Sequence, residues 1–317
     1  MRVLRRNGVD ARAYGVWTFE HVRERLWENN GVTHCIIEAP WLSAAETATL
    51  CHEFPDTHFL VRTHSNLGFL QVESGAITII KELLLLQEGV LNLTVSANSQ
   101  RLTHFIERTY QGKCLYLPNL YDTERVSRKR DFPSQHRLIR IGSWGAQRLM
   151  KNHTTAAAAA MLVAKSRASD LEFWVSTDRE EFGRGIMASL RAMFKGLHWA
   201  KLVEHPWEDW AAFRRTVGYM DLNIQVSMSE TFNIVSADSV AEGVPCVVSP
   251  MIEWAPPHWM CHPDAVEEMA RIGTELLASV DGAADGLAAL LRHVRHAVRR
   301  WLRYLDSQPD AIQSDDD

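Results

Sequence analysis

The sequence has few cysteines and no strong excess of charge of either sign. Five cysteines are widely spaced and no C-x-x-C pair occurs: Cys35, Cys51, Cys114, Cys246 and Cys261. This pattern excludes a disulfide framework and predicts a reduced, cytoplasmic protein. A formal net charge of -5 over 317 residues gives no support to general nucleic-acid binding.

Long apolar runs and several catalytic motifs are also missing. The N-terminal stretch "MRVLRRNGVDARAY" lacks the apolar core of a signal peptide, and no run approaches the roughly 20 residues of a membrane span. Neither a P-loop nor a G-x-S-x-G motif is present. "HEFPD" at His52 places Asp56 where H-E-x-x-H needs its second histidine, which excludes a zinc-protease site.

Short apolar runs instead alternate with segments of helical length along almost the whole chain. The runs begin at Ala11, Thr33, Thr57, Leu91, Lys113, Arg137, Leu171, Ala200, Asp221 and Pro245. Each has the length of a strand, and most are rich in Val, Ile, Leu or aromatic residues. Alternation of this kind predicts an α/β fold with parallel sheets covered by helices on both faces.

The alternation breaks once, in the polar and basic stretch "PNLYDTERVSRKRDFPSQH" that follows Leu117. We therefore predict two doubly wound, Rossmann-like domains facing a cleft. Their predicted ranges are 1–122 for the N-terminal domain, 123–136 for a linker and 137–305 for the C-terminal domain. "GLAALLRHVRHAVRRWLRYL" is predicted to be an amphipathic packing helix, and 306–317 a disordered tail.

The stretch "SETFNIVSADSVAEGVP" carries two acids in an otherwise small or apolar segment. We predict a helix that begins near Thr231 or Phe232 and ends before Gly243, with Glu230 just outside its N-terminus. Backbone amides at Phe232, Asn233 and Ile234 would then favour an anion such as a diphosphate. Asp238 would face a ribose diol and Glu230 an attached sugar. The alternative, an acid that only favours the helix dipole and a solvated Asp238, has about equal weight from these residues alone.

The same stretch resembles a motif of retaining glycosyltransferases with two Rossmann-like domains (the GT-B fold, family 4-like). That motif is Glu, seven residues, Glu, then Gly-x-Pro, and the chain has Glu230, Asp238 and Gly243-Val244-Pro245 in these places. The second acid is Asp instead of Glu. "LPNLYD" at Leu117 resembles the family's Ile-Pro-Asn-Gly-Val-Asp at the end of the N-terminal domain.

Three further segments carry the resemblance. It implies that His64, in "RTHSN", lies beside the transferred sugar, and that Lys151 and Arg148, in "IGSWGAQRLMKN", neutralise the diphosphate. Gly142 would permit the tight turn of that loop, whereas Ser143 stands where the family has its arginine. His205 lies where the family's base-binding loop begins. The chain's first residues resemble the end of the family's first helix, so we predict an N-terminal domain without its first strand.

The resemblance implies a retaining, metal-independent glycosyltransferase without a permanent cofactor, using a UDP-, GDP- or ADP-sugar as donor. Glu230 would hold sugar hydroxyls. Donor-binding contacts are expected from Gly142, His205, Glu230, Thr231, Phe232, Asn233, Ile234 and Asp238. The acceptor is open: a glycan, a lipid carrier, a protein, a metabolite or a modified nucleic-acid base. Alternatives are a catalytically impaired module that only binds a sugar nucleotide and a sugar-nucleotide epimerase.

Overall fold

The computed structural model describes residues 1–73, 75–124, 138–179 and 185–306. The chain divides into two compact units. The first unit is Met1–Asp122 together with the residues from Val294 onward, and the second is Thr123–His293. Most of the predicted linker, 125–136, and most of the predicted tail, 307–317, lie outside the described residues.

The first unit is built from a four-stranded parallel sheet and its flanking helices. In chain order its elements are α1 (Arg2–Arg6), α2 (Phe19–Glu28), β1 (His34–Glu38), α3 (Ala44–Glu53), β2 (His58–Thr63), α4 (Leu67–Leu70), α5 (Ala76–Gly89), β3 (Leu93–Ala97), α6 (Gln100–Tyr110) and β4 (Leu115–Tyr116). The strands lie in the order β1-β2-β3-β4. Phe59, Leu83 and Leu102 are fully buried in its core.

The second unit contains a five-stranded parallel sheet. Its elements are β5 (Leu138–Ser143), α7 (His153–Ser166), β6 (Asp170–Ser176), α8 (Ile186–Phe194), β7 (Ala200–His205), α9 (Trp210–Val217), β8 (Leu222–Gln225), α10 (Ile234–Ala241), β9 (Cys246–Val248), α11 (Val266–Ala278) and α12 (Ala284–Asp306). The strand order is β7-β6-β5-β8-β9. Short 3₁₀ turns occupy Leu149–Lys151 and Pro257–Trp259.

Nine of the ten predicted strands are confirmed, and every strand pair in both sheets is parallel. The run at Ala11 is the exception, because the structure has no strand before β1. The Arg5 side chain donates from Nε to the carbonyl of Ala11 at 2.6 Å. The backbone there is thus bonded to a side chain, and a strand prediction based on apolar content alone was wrong.

The predicted amphipathic helix is present as α12, but the two units share it. From Val294 onward it belongs to the first unit, whereas the sequence predicts one C-terminal domain over 137–305. The physical reason is its apolar side: Trp301 and Tyr304 pack with Leu60 and Leu117, and the Trp301 indole donates to the carbonyl of Pro118 at 2.9 Å. Among the described residues, no helix is both long enough and apolar enough to cross a membrane.

Candidate functional site at the switch point of the second sheet

The strand order of the second sheet reverses between β5 and β8. From β5 the chain moves outward to β6 and β7, and then returns to place β8 on the other side of β5. Ile141 pairs with Leu222 and Gly142 with Asn223 across this junction. Ligands of doubly wound proteins bind outside the carboxyl ends of the strands at such a switch point. The relevant loops are 144–152, after β5, and 226–233, after β8.

These two loops join through a partly buried ion pair. Lys151 Nζ lies 2.5 Å from Glu230 Oε1, and the two side chains are only 16% and 12% exposed. Asn233 donates from Nδ2 to the same Glu230 oxygen at 3.0 Å. The backbone amide of Met228 also donates to the carbonyl of Met150 at 2.8 Å. The structure therefore brings together three residues that the sequence singled out, Lys151, Glu230 and Asn233.

The same two loops and the first residue of α10 also carry exposed apolar side chains. Leu149 is 70% exposed, and Met228 and Ile234 are each 52% exposed. Ligand sites commonly combine apolar side chains with a few charged groups. Sequence reasoning missed these three residues, since single exposed apolar residues have no pattern along the chain.

Helix α10 begins at Ile234, two to three residues after the predicted start at Thr231 or Phe232. Asn233 is its N-cap and has a left-handed backbone conformation, with φ of +56°. Its Oδ1 accepts a hydrogen bond from the Ser236 amide at 2.8 Å, so the third amide of the helix is capped by the chain itself. Phe232 lies before the helix, where its ring is buried against Trp254 and His293.

Gly142, near the end of β5, and Gly145, in the loop after it, make two close approaches possible. A Cβ at Gly142 would lie 2.1 Å from Nε1 of Trp144, whose buried indole donates to Oδ1 of Asn223 at 2.7 Å. Gly145 has φ of +112°, and a Cβ there would lie 3.4 Å from Cε of Lys151. Gly142 thus accommodates an indole, and Gly145 lies beneath the Lys151 side chain. A donor contact at Gly142 stays a prediction.

Ser143, in the place of the family's arginine, contacts a buried histidine. Its Oγ lies 2.9 Å from Nδ1 of His153, the first residue of α7. Burial and then the positive charge of Lys151 lower the pKa of His153 to about 4. His153 is therefore neutral at neutral pH, directly beside the candidate site. The sequence does not distinguish it from the other histidines of the chain.

Arg148 precedes the same loop's 3₁₀ turn, three residues before Lys151, and its side chain is half-buried. The structure places both predicted cations of the diphosphate site on one loop. The role of Arg148 toward a diphosphate stays a prediction.

Asp238 lies in a buried network instead of at an open surface. Its side chain is 1% exposed, and its Oδ1 accepts a hydrogen bond from the Trp210 indole at 3.0 Å and lies 3.8 Å from Arg214 Nε. Arg214 also pairs with the fully buried Glu242. Sequence reasoning missed Trp210, Arg214 and Glu242, because a charge buried by distant contacts looks like a solvated one along the chain. Ribose binding by Asp238 stays a prediction, but these contacts give the carboxylate a structural role.

His205 also has partners within the protein. Its ring packs against Trp144 and Trp174 with centroids 6.1 and 5.6 Å away, and its Nε2 lies 3.0 Å from Glu208. Its carbonyl accepts from the amide of Thr177 at 2.7 Å. These contacts agree with a loop-packing residue, so base recognition by His205 stays a prediction.

His64 lies in the first unit, just beyond the carboxyl end of β2. Its Nε2 is 2.5 Å from Oε2 of Glu38, at the carboxyl end of β1. Its side chain is 38% exposed. The ligand edge of this sheet thus carries a histidine and a carboxylate in contact, of which the sequence indicated only the histidine.

Comparison with models of known protein families gives no match, and comparison with curated proteins gives none either. Solved structures do match. The α,α-trehalose-phosphate synthase (UDP-forming) of Burkholderia xenovorans, in complex with glucose-6-phosphate, has a TM-score of 0.68 at 11% identity, over 91% of this chain and 77% of that one. Sucrose-phosphate synthase from Thermosynechococcus elongatus has a TM-score of 0.63 at 16% identity, over 90% and 76%.

A variant of S. aureus TarM, in complex with fondaparinux, α-GlcNAc-glycerol and UDP, has a TM-score of 0.59 at 11% identity. It is matched over 80% of this chain, which spans about half of the TarM chain, 51%. At 11–16% identity these similarities show the fold alone. The chain has the predicted fold class, an α/β protein of two Rossmann-like units with parallel sheets, as in GT-B proteins.

Proposed function

We propose that this chain is a retaining glycosyltransferase that moves a sugar from a nucleotide diphosphate-sugar to an acceptor, without a divalent metal ion. The observation that carries the proposal is the Lys151–Glu230 pair at the switch point of the second sheet. A diphosphate needs a cation, and a sugar needs a hydrogen-bond acceptor for its hydroxyls. The pair supplies both in one place.

The proposed roles follow the two loops. Lys151, with Arg148, neutralises the diphosphate, and the amides at the start of α10 contribute their positive end of the helix dipole. Glu230 accepts hydrogen bonds from sugar hydroxyls once Lys151 has turned to the phosphates. Further proposed donor contacts come from Gly142, His205, Thr231, Phe232, Asn233, Ile234 and Asp238. His64 lies by the anomeric centre or forms a hydrogen bond with an outer hydroxyl of the sugar.

In the proposed reaction, the bond between the anomeric carbon and the diphosphate oxygen breaks, and its electrons leave with the diphosphate. The acceptor oxygen bonds to the anomeric carbon from the face that the diphosphate leaves, and the acceptor's proton passes to the departing diphosphate. The configuration is retained without a protein nucleophile. Lys151 stabilises the charge that develops on the leaving group, and removal of one preorganised group of this kind commonly costs about 10²–10³ in rate.

The structural neighbours support a nucleotide-sugar donor. One is a UDP-forming trehalose-phosphate synthase, and another was crystallised with UDP. They do not select among UDP-, GDP- and ADP-sugars for this chain, and they leave its acceptor open.

A second candidate is a module that binds a sugar nucleotide without transferring the sugar. Two observations favour it: Asp238 is buried with Arg214, and Ser143, bonded to His153, replaces the family's arginine. Donor turnover separates the candidates. A transferase releases nucleoside diphosphate when an acceptor or water takes the sugar, whereas the binding module leaves the donor intact.

The test is a thermal-shift screen of the chain with UDP, GDP, ADP and their common sugar conjugates, each with and without EDTA. A ligand that binds only the folded chain raises the melting temperature by mass action. We expect a rise with one base that EDTA does not reduce. For that donor, NMR of the product should then show a retained anomeric configuration. No rise with any nucleotide, on folded chain, would contradict the proposal.

A further inference from the structure

The carboxyl edge of the first unit's sheet carries a second polar group, formed by Glu38, Arg62 and His64. Glu38 Oε2 lies 2.5 Å from His64 Nε2 and accepts a hydrogen bond from Arg62 Nη1 at 3.0 Å. Glu38 ends β1, Arg62 lies near the end of β2, and His64 follows β2, so adjacent parallel strands place them together. Ligands of parallel α/β sheets meet this edge.

Arg62 anchors the group. Its side chain is only 4% exposed, and its guanidinium makes two further hydrogen bonds, from Nε to the carbonyl of Leu117 at 3.0 Å and from Nη2 to Oδ1 of Asn119 at 2.5 Å. The Trp301 ring lies 5.5 Å from its Cζ. A buried charge is by itself weak support for stability. We therefore interpret Arg62 as a support that holds the Glu38 carboxylate in place.

Glu38 is the exposed member, with 51% of its side chain accessible. Burial raises the pKa of its carboxyl, but the hydrogen bond from His64 and the charge of Arg62 outweigh burial, so the pKa lies below its ordinary value. Glu38 is thus ionised at neutral pH and only accepts hydrogen bonds. His64 must donate from Nε2, and in a neutral imidazole the lone pair then lies on Nδ1.

We propose that Glu38, held by Arg62, is a positioning residue that fixes His64 as its Nε2–H tautomer and directs Nδ1 to a sugar hydroxyl. This inference rests on the proposed function. Glu38 acts through His64, as carboxylates behind histidines do in other catalytic groups.

The experiment uses Glu38→Ala, Glu38→Gln, His64→Ala and the double variant E38A/H64A, with the nucleotide sugar identified by the thermal-shift screen. We expect turnover of E38A and H64A to fall about ten- to a hundredfold, with the KM for the donor unchanged within about twofold. E38Q, which keeps an oxygen for Nε2–H, should regain most of this loss. The double variant should be no slower than H64A, since both act through one imidazole.

Two results would overturn the inference: wild-type turnover in E38A or H64A, or losses that multiply in the double variant. Unchanged nucleoside diphosphate binding in the four variants separates these results from failure of the proposed function, in which the wild-type chain binds no nucleotide. A measurement without substrate also tests the tautomer of His64. Long-range ¹H–¹⁵N NMR, with His64 assigned from H64A, should show the proton on Nε2 in the wild-type chain, and a proton on Nδ1 would refute the assignment.

Discussion

Each unit buries one arginine that pairs with carboxylates, and the two arginines have different carboxylate partners. Arg62 of the first unit and Arg214 of the second are 4% and 1% exposed in their side chains. Glu38, the partner of Arg62, is 51% exposed, whereas Asp238 and Glu242, the partners of Arg214, are 1% and 0% exposed. An arginine–carboxylate pair therefore leaves one carboxylate exposed to solvent in the first unit, whereas two carboxylates are buried with the arginine of the second unit.

The difference shows which charges each unit leaves accessible. In the second unit the buried network joins α9 to α10 and supports the helix that follows Glu230, and the side chains of Lys151 and Glu230 are themselves only 16% and 12% exposed. In the first unit the buried arginine contacts the half-exposed Glu38 directly. Asp238 and Glu242 are thus closed to solvent, whereas Glu38 and, to a smaller extent, Glu230 are accessible to it.

The largest expected effect comes from removing each buried arginine. Arg214→Leu leaves two buried carboxylates without their guanidinium, and loss of one member of a buried ion pair costs about 3–5 kcal/mol. Arg62→Leu should cost less, about 1–3 kcal/mol, because water solvates the half-exposed Glu38. Calorimetric unfolding at pH 7, analysed per transition, checks both. If R62L lost as much unfolding free energy as R214L, or more, the two arginines would not differ in the way that the exposure of their partners predicts.

The second largest expected effect is a loss of stability of the second unit at acidic pH. His153 has a pKa of about 4 in the fold against an ordinary 6.5, so the unfolded chain binds its proton first as the pH falls. The stability of the second unit should be complete above about pH 6.5 and decline toward pH 4, by about 3 kcal/mol for a difference of this size. Urea unfolding at several pH values measures the slope. His153→Gln should flatten it, and an unchanged slope in that variant would show that another group is responsible.

The third prediction compares two lysines of the second unit. Lys151→Met removes the cation of the switch point and should weaken pyrophosphate and nucleoside diphosphate binding about ten- to a hundredfold. Lys201→Met, the same change at an exposed lysine of β7, is the matched control and should leave binding unaltered. Titration calorimetry without divalent ions gives both affinities. Equal affinities in the two variants would place the anion elsewhere.

The smallest effect should come from Glu230→Gln. The Glu230 carboxylate holds Lys151 at 2.5 Å in the free chain, so a diphosphate must displace it. The neutral amide competes less, and pyrophosphate should bind about two- to fivefold more tightly, as expected for a partly buried ion pair of modest strength. The same titration measures this gain, with K151M as the reference in which it should vanish. Weaker pyrophosphate binding in E230Q would contradict the competition.

Much of the fold was predictable because parallel strands buried on both faces are continuous apolar runs. Nine such runs became strands, and the Lys151–Glu230 pair follows from loops that come after two neighbouring strands. Contacts between distant residues were not predictable. The packing of Trp301 on the first unit, the burial of Asp238 and the indole of Trp144 over Gly142 each depend on partners that no local pattern shows.

A nucleoside diphosphate bound at Lys151 should shield that side chain from chemical modification, and lysine footprinting measures this shielding. The chain is acylated briefly with an amine-reactive ester, with and without the nucleotide selected by the thermal-shift screen, and the modification of each lysine is measured by mass spectrometry. We expect the nucleotide to protect Lys151 and to leave the exposed Lys113 and Lys201 unchanged. Undiminished acylation of Lys151 at a saturating nucleotide concentration would contradict nucleoside diphosphate binding at this residue.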